Sequence, residues 1–239
     1  MIETSWVTTN DRCRSMTASM LDDLVDALQP LRAAKITRLL DIGCGFGGLT
    51  RFIAEELKIP EIHGIDIDPE PLPEAESKGV TVHRVDVSAS PLPFPDGYFS
   101  LVVSFGMLDF LPFFDHFVRE LFRVTHAGGY VLISLPNLAS WHNRLFLLLG
   151  YQPRDVEVSR EVLVGVHPWY KTDRPAGHIH TLTVPAMTQL MTHHGFRTVR
   201  LTGGRPRPRK MNSLIRFADD LFSVKPTLAR RFFYLGARE

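Results

Sequence analysis

The segment Leu39-Leu-Asp-Ile-Gly-Cys-Gly-Phe-Gly-Gly48 constrains this chain most tightly. A short apolar run passes into glycines at 43, 45 and 47, and a helical pattern, Leu49–Leu57, starts directly after them. Glycine tolerates positive φ and lets a ligand approach the backbone closely. A strand, a glycine loop and a helix in that order form a cradle for a nucleotide cofactor, and they also occur as a tight turn in which glycine serves geometry alone. With Gly48 included, the spacing satisfies both Gly-x-Gly-x-Gly and Gly-x-Gly-x-x-Gly, so the glycines do not choose a cofactor. Two acidic residues add information. Asp66 ends the second apolar run, 21 residues after Gly45, where nucleotide-binding α/β folds place a carboxylate for ribose hydroxyls. The alternative for it is a solvated strand-end carboxylate or a helix cap, which also fits Asp68 before Pro69. Asp41 stands beside the glycines, where a pyrophosphate has no need of an acid but the cationic end of a ligand does.

Around this loop the chain alternates short β-rich runs with helical ones. Strands are predicted at 36–42, 62–67, 80–87, 99–105, 130–135, 196–201 and 231–235. Helices are predicted at 16–31, 49–57, 71–78, 113–124, 184–194 and 214–222. Pro91, Pro93, Pro95 and Asp96-Gly97 mark a rigid loop. The alternation predicts a parallel α/β sheet with helices on both faces. Residues 1–239 are expected to form one domain, with a helical segment at 1–35 and an insertion at 136–183 between the fifth and sixth strands. That insertion is rich in Trp and His and leaves the strand edge at which open α/β sheets bind ligands.

Leu39 to Gly47 resembles the first motif of class I S-adenosylmethionine-dependent methyltransferases of the type 11 kind. Gly64-Ile-Asp-Ile-Asp-Pro69 resembles their ribose-binding motif, and Val85-Asp-Val87 the one whose acid faces the adenine amine. The fourth strand with its Leu92-Pro-Phe-Pro-Asp-Gly97 approach, then Arg119–Val124 with Gly128-Gly129, follow in the family's order. A weaker similarity, through Leu135-Pro-Asn137, Trp141 and His178-Ile-His180, is to methyltransferase-like proteins associated with methionine biosynthesis. The resemblance implies a Rossmann-like sheet of seven strands, mostly parallel, with the last strand antiparallel. It implies S-adenosylmethionine as cofactor, bound by Asp41, Gly43, Cys44, Gly45, Gly47, Asp66, Ile67, Asp86, Val87, Ser104 and Phe105, with Asp41 meeting the methionine amino group. Two positions depart from the family pattern: Ser100 replaces a usual acid, and Asp109 a usual Glu or His.

The implied reaction is in-line attack on a sulfonium methyl, driven by proximity and orientation. His178 and His180 are the candidate bases, and their alternative is structural packing. They make a small-molecule acceptor methylated on oxygen preferable to one methylated on nitrogen. Asp109, Trp169 and Tyr170 are the candidate acceptor contacts. An NAD(P)-dependent oxidoreductase on a related fold and a non-catalytic cofactor-binding protein are the competing readings. With 27 Lys and Arg against 26 Asp and Glu, the chain lacks the charge of a bulk nucleic-acid binder. The run Arg205–Lys210 is either an anion contact or a solvated loop. Two cysteines make no disulfide framework, no metal spacing is present, and no membrane span is expected, so a cytoplasmic protein is anticipated.

Overall fold

In a computed structural model, residues 21–170, 174–205 and 212–239 are described. Residues 1–20, part of the expected first helix, and most of the Arg205–Lys210 run lie outside them. Helix α1 (Leu21–Leu28) continues into a 3-10 turn at Gln29–Ala33. Strand β1 (Arg38–Ile42), helix α2 (Gly48–Leu57), strand β2 (Glu61–Asp66), helix α3 (Leu72–Ser77) and strand β3 (Thr81–Arg84) follow. Next come β4 (Phe99–Phe105), α4 (Asp115–Val124), β5 (Thr125–Pro136) and α5 (Trp141–Leu148). The chain closes with α6 (Val184–His193), β6 (Phe196–Gly204), α7 (Ser213–Ser223) and β7 (Arg231–Arg238).

The seven strands form one sheet in the order β3-β2-β1-β4-β5-β7-β6. β1 through β5 pair in parallel, and β7 runs antiparallel between β5 and β6. Adjacent side chains point to opposite faces, so Leu39 and Leu40, both fully buried, enter different cores. Leu40, Ile42, Val102, Val131 and Ile133 pack with α4 and α6, while Leu39, Leu101, Val103 and Leu132 pack with α1 and α2. α4 shows how sequence sets this: Phe117, Val118, Leu121 and Val124 recur at helical spacing and are buried, while Glu120 and Arg123 pair at its side. The start of β1 is tied to β4 through Ser100, whose hydroxyl accepts from the Thr37 and Arg38 amides and donates to the Arg38 carbonyl. A neutral hydroxyl can do both, which a carboxylate cannot.

Four boundaries differ from the sequence expectation. β3 stops at Arg84 because Asp86 turns back to take the Ser88 amide. β5 begins at Thr125, with Ala127–Gly129 as an irregularity in the pairing rather than a separating turn. β6 and β7 run on to Gly204 and Arg238, since their mutual antiparallel pairing extends both. α5 was not predicted; its leucines lack a period, and Trp141, His142, Asn143 and Phe146 make the contacts that hold it.

Candidate active site

The glycine loop joins β1 to α2 at the C-terminal edge of the sheet. The amides of Gly43 and Cys44 both donate to the Ile65 carbonyl, which ties the loop to the end of β2. Gly45, at φ +48°, faces open space where a side chain would stand. Gly47, at φ +71°, caps α2, and a Cβ there would lie 2.9 Å from Ala75 of α3. The loop is therefore both conformationally dependent on glycine and open to a ligand at its centre.

Asp41 is 2% exposed. The Thr50 hydroxyl donates to its Oδ2 at 2.6 Å, and its Oδ1 is buried with no hydrogen-bond partner. Burial raises the carboxyl to about 7; the Thr50 bond opposes the shift and the nearby Asp66 charge adds to it. Asp66 accepts from the Gly45 amide at 2.9 Å through Oδ2 and from the Asp68 amide through Oδ1. Asp68 is itself occupied with the Glu70 amide, so Asp66 is the carboxylate that reaches the loop. Ile67 beside it is exposed. Asp86 is also exposed and is held by the amide and hydroxyl of Ser88, which lower its pKa. Val87 packs against the core below.

The remaining predicted cofactor residues divide by what their side chains touch. Cys44 turns inward: a Cβ on Gly64 would lie 2.7 Å from its Sγ, so β2 needs glycine there. Burial pushes the thiol well above its ordinary range, and it stays protonated. Any cofactor contact from Cys44 is therefore through its backbone. Ser104 Oγ donates to the Ile42 carbonyl at 2.9 Å and braces β4 on β1. Phe105 is half-buried and packs edge-on to Phe233. After β4, Met107 comes within 3.2 Å of a Cβ built on Gly43.

Two residues further on, Asp109 lies in a short 3-10 turn (Leu108–Phe110) and is 2% exposed. Its Oδ2 pairs with His178 Nε2 at 3.0 Å, and its Oδ1 is buried without a partner. Its carbonyl accepts from the Ile179 and His180 amides, so the end of the 137–183 segment is fastened to this turn. The other ring nitrogen of His178 lies 3.5 Å from Glu157 and 3.9 Å from Asp155. The hydrogen bond to Asp109 raises the His178 pKa, burial opposes it, and the charges of Asp109, Asp155 and Glu157 add to it. Burial raises Asp155 and lowers Arg231, with Asp109 and Asp155 opposing the fall at Arg231. His180 donates from Nε2 to the Pro112 carbonyl at 2.8 Å and meets the Phe114 ring edge-on.

Trp169 and Tyr170 do not form an open wall. Trp169 packs with Trp141, Phe146 and Arg230. Tyr170 sits against Phe146, while its hydroxyl is buried with no hydrogen-bond partner, near enough to Asp155 for that charge to raise its pKa after burial has done so. His167 stacks on Phe146 at 4.6 Å in the same cluster. Asp155, Glu157 and Arg231 escaped the sequence reading, because nothing in their spacing marks them. Among the described residues no group of three or more His, Cys, Asp and Glu side chains is placed to hold a metal ion.

A seven-stranded Rossmann-like sheet, an open glycine loop and a carboxylate at the tip of β2 define a nucleotide-cofactor protein. Residues 40–133 match a family described as a methyltransferase domain. The chain is 31% identical over 143 residues to ajmaline N-methyltransferase of Rauvolfia serpentina, covering 57% of this chain and 47% of that protein. It is 34% identical over 101 residues to demethylmenaquinone methyltransferase of Thermus thermophilus, covering 40% and 46%. The matches thus span less than half the length of both relatives. Among solved structures, an S-adenosylmethionine-dependent methyltransferase of Methanosarcina mazei aligns over 88% of this chain and 96% of its own, with TM-score 0.61 and 20% identity. Residues 40–133 thus carry the methyltransferase-domain match, and the sheet has the fold of solved S-adenosylmethionine-dependent methyltransferases; S-adenosylmethionine is the cofactor that this match implies.

Proposed function

We propose that this protein transfers the S-adenosylmethionine methyl group to a small-molecule acceptor bound beneath the 137–183 segment. The unpartnered, buried Oδ1 of Asp41 beside an open glycine loop carries the reading. A buried carboxylate with a free oxygen is costly unless a cation meets it, and the amino group of the methionine moiety is such a cation. Asp66 would take the ribose hydroxyls, Ile67 and Val87 would flank the adenine, and Asp86 would accept from its amine. The bound cofactor supplies an activated methyl on sulfonium. The protein's own work is to hold the acceptor in line and to keep water out, which supplies roughly 7–11 kcal/mol in well-aligned systems.

On the acceptor side, His178 is the stronger candidate of the two histidines. Asp109 orients its Nε2–H, and its buried Nδ1, which faces Glu157 and Asp155, would be the proton acceptor of the neutral ring once an acceptor reaches it. This arrangement suits an acceptor hydroxyl, whose proton must leave. Trp169 would act by holding the aromatic cluster, and the Tyr170 hydroxyl by facing the acceptor. The two relatives do not choose the atom: one is an N-methyltransferase by name and the other acts on demethylmenaquinone. Calorimetry with S-adenosylhomocysteine tests the cofactor assignment. Asp66→Ala should bind it at least about tenfold more weakly, the scale of a lost charge-assisted hydrogen-bond pair. Unchanged affinity, or micromolar NADH binding in its place, would overturn the reading.

A further inference from the structure

Helix α7 is packed inside out. Its apolar residues Leu214, Phe217, Leu221 and Val224 follow helical spacing on one face, and that face is outward, with each side chain 57 to 79% exposed. The inner face is held by polar contacts together with Phe222, which stacks on Trp141. Asp219 is buried, accepting from Arg230 Nε at 2.6 Å and from Trp141 Nε1 at 2.8 Å, and Ser223 is buried beside it. An ordinary surface helix would turn these faces the other way. Here the Asp219 pairs fix the rotation, so the outward stripe is a consequence of built contacts.

Two further observations say what the stripe meets. From Arg205 to Lys225 the sequence holds six basic residues against two acidic ones, in a chain with a net charge of only +1. Arg205 is paired with Asp23 and Asp219 with Arg230, so five basic residues against Asp220 remain in the segment. A second apolar group, Leu145, Leu147, Leu148 and Leu149, is exposed on and just after α5, and α5 is joined to α7 by the stacked rings of Trp141 and Phe222 at 5.5 Å. α5 follows β5 and α7 follows β6, so both leave the strand ends that carry the candidate active site. No described helix is long and apolar enough to cross a membrane. Apolar residues on one face of a short helix, flanked by excess positive charge, match the chemistry of an anionic lipid surface.

We propose that the α7 stripe docks this protein on an anionic membrane surface, with Leu214, Phe217, Leu221 and Val224 entering the headgroup boundary and Arg216 and Lys225 meeting lipid phosphate. The surface stands apart from the cofactor assignment, and its test does not use methyl transfer.

The experiment is flotation of the full chain with vesicles of phosphatidylcholine alone and of equal parts phosphatidylcholine and phosphatidylglycerol. The expected result is binding to the anionic vesicles, weakened by salt, with little on the neutral ones. Phe217→Glu with Leu221→Glu should reduce binding at least about tenfold while S-adenosylhomocysteine affinity and melting temperature stay as in the parent. Arg216→Glu, which leaves the stripe intact, should weaken anionic binding alone and serves if the double variant fails to fold. No binding to anionic vesicles, or binding unaffected by both variants, overturns the proposal. So does a concentration-dependent dimer in sedimentation velocity that Phe217→Glu dissociates, since a second copy would then cover the stripe.

Discussion

Asp41→Asn should make the empty protein more stable and a poorer binder of its cofactor. The carboxyl of Asp41 titrates near 7 when folded against an ordinary 3.8, because burial disfavours its charge. Between these values the folded state keeps a proton that the unfolded chain has lost, so stability falls as pH rises, by about 1.4 kcal/mol per unit, and levels off above 7. Relative to an uncharged residue, the linkage amounts to about 2 kcal/mol at pH 5 and about 4 kcal/mol at pH 8. Asn removes this dependence. Its oxygen can still accept from the Thr50 hydroxyl, 2.6 Å from Oδ2 in the parent. Its amide is left without an obvious partner, at a cost of about 1–3 kcal/mol that is the same at both pH values. The robust quantity is therefore the widening of the gap between variant and parent, about 2–3 kcal/mol from pH 5 to pH 8, or roughly 5–10 °C in melting temperature for a domain of this size. Thermal denaturation without cofactor at the two pH values measures it. S-adenosylhomocysteine affinity should move oppositely: in the parent it weakens as pH falls below 7 and Asp41 takes up its proton, and in Asp41→Asn it is lower and flat. A gap that stays constant, or a parent affinity that is flat between pH 6 and 8, would refute the idea that Asp41 is a buried carboxylate awaiting a cation.

Other perturbations test separate contacts. Burial lowers His142 to about 3, with the Arg230 charge adding to the fall, so the unfolded chain binds the extra proton below 6.5 and stability should drop as pH falls from there; His142→Phe should remove that acid loss in denaturation curves. Gly64→Ala drives a methyl to within 2.7 Å of the Cys44 sulfur and 2.9 Å of Val80 and should cost about 1–3 kcal/mol in urea unfolding; Cys44→Ala in the same chain should recover part of it. Asp109→Asn should lower kcat more than it raises KM for the cofactor, and should lower the apparent pKa of the rising limb of the pH–rate profile, because the Asp109 bond is the largest cause holding the His178 pKa up. An unshifted limb would remove His178 from the reaction.

The candidate cofactor residues are legible in the sequence because they are local. Asp41, the glycines and the start of α2 lie within ten residues, and their chemistry demands particular residue types at particular places. The cluster on the proposed acceptor side is not, because Asp109, Asp155, Glu157, His178 and Arg231 come together only through the tertiary fold and the antiparallel return of β7. No period or spacing records that path. His178 was found from its neighbourhood in sequence, while its carboxylate partners were visible only in three dimensions. Trp169 stands in the sequence as a candidate acceptor contact, yet aromatic residues also anchor a segment lacking regular structure, and here it packs with Trp141 and Phe146. α7 inverted the usual rule: its apolar period was readable, but the face it turned outward was decided by Asp219 and Arg230.

The two halves meet in the stretch from Phe105 to Phe110. Met107 lies against the place a side chain on Gly43 would occupy, and Asp109, two residues later, holds both His178 and the backbone of Ile179 and His180. One end of this short turn thus borders the glycine loop, where the proposed cofactor would sit, and the backbone of Ile179 and His180 is fastened to the other. Both ends also carry a buried carboxylate oxygen without a partner, on Asp41 and on Asp109. Each such oxygen costs free energy until a ligand supplies a donor or a cation. The two ends differ in exposure: Gly45 faces open space, while His178 covers Asp109. On the proposed function, S-adenosylhomocysteine should therefore bind with no acceptor present, and calorimetry that found binding only with an acceptor would count against it.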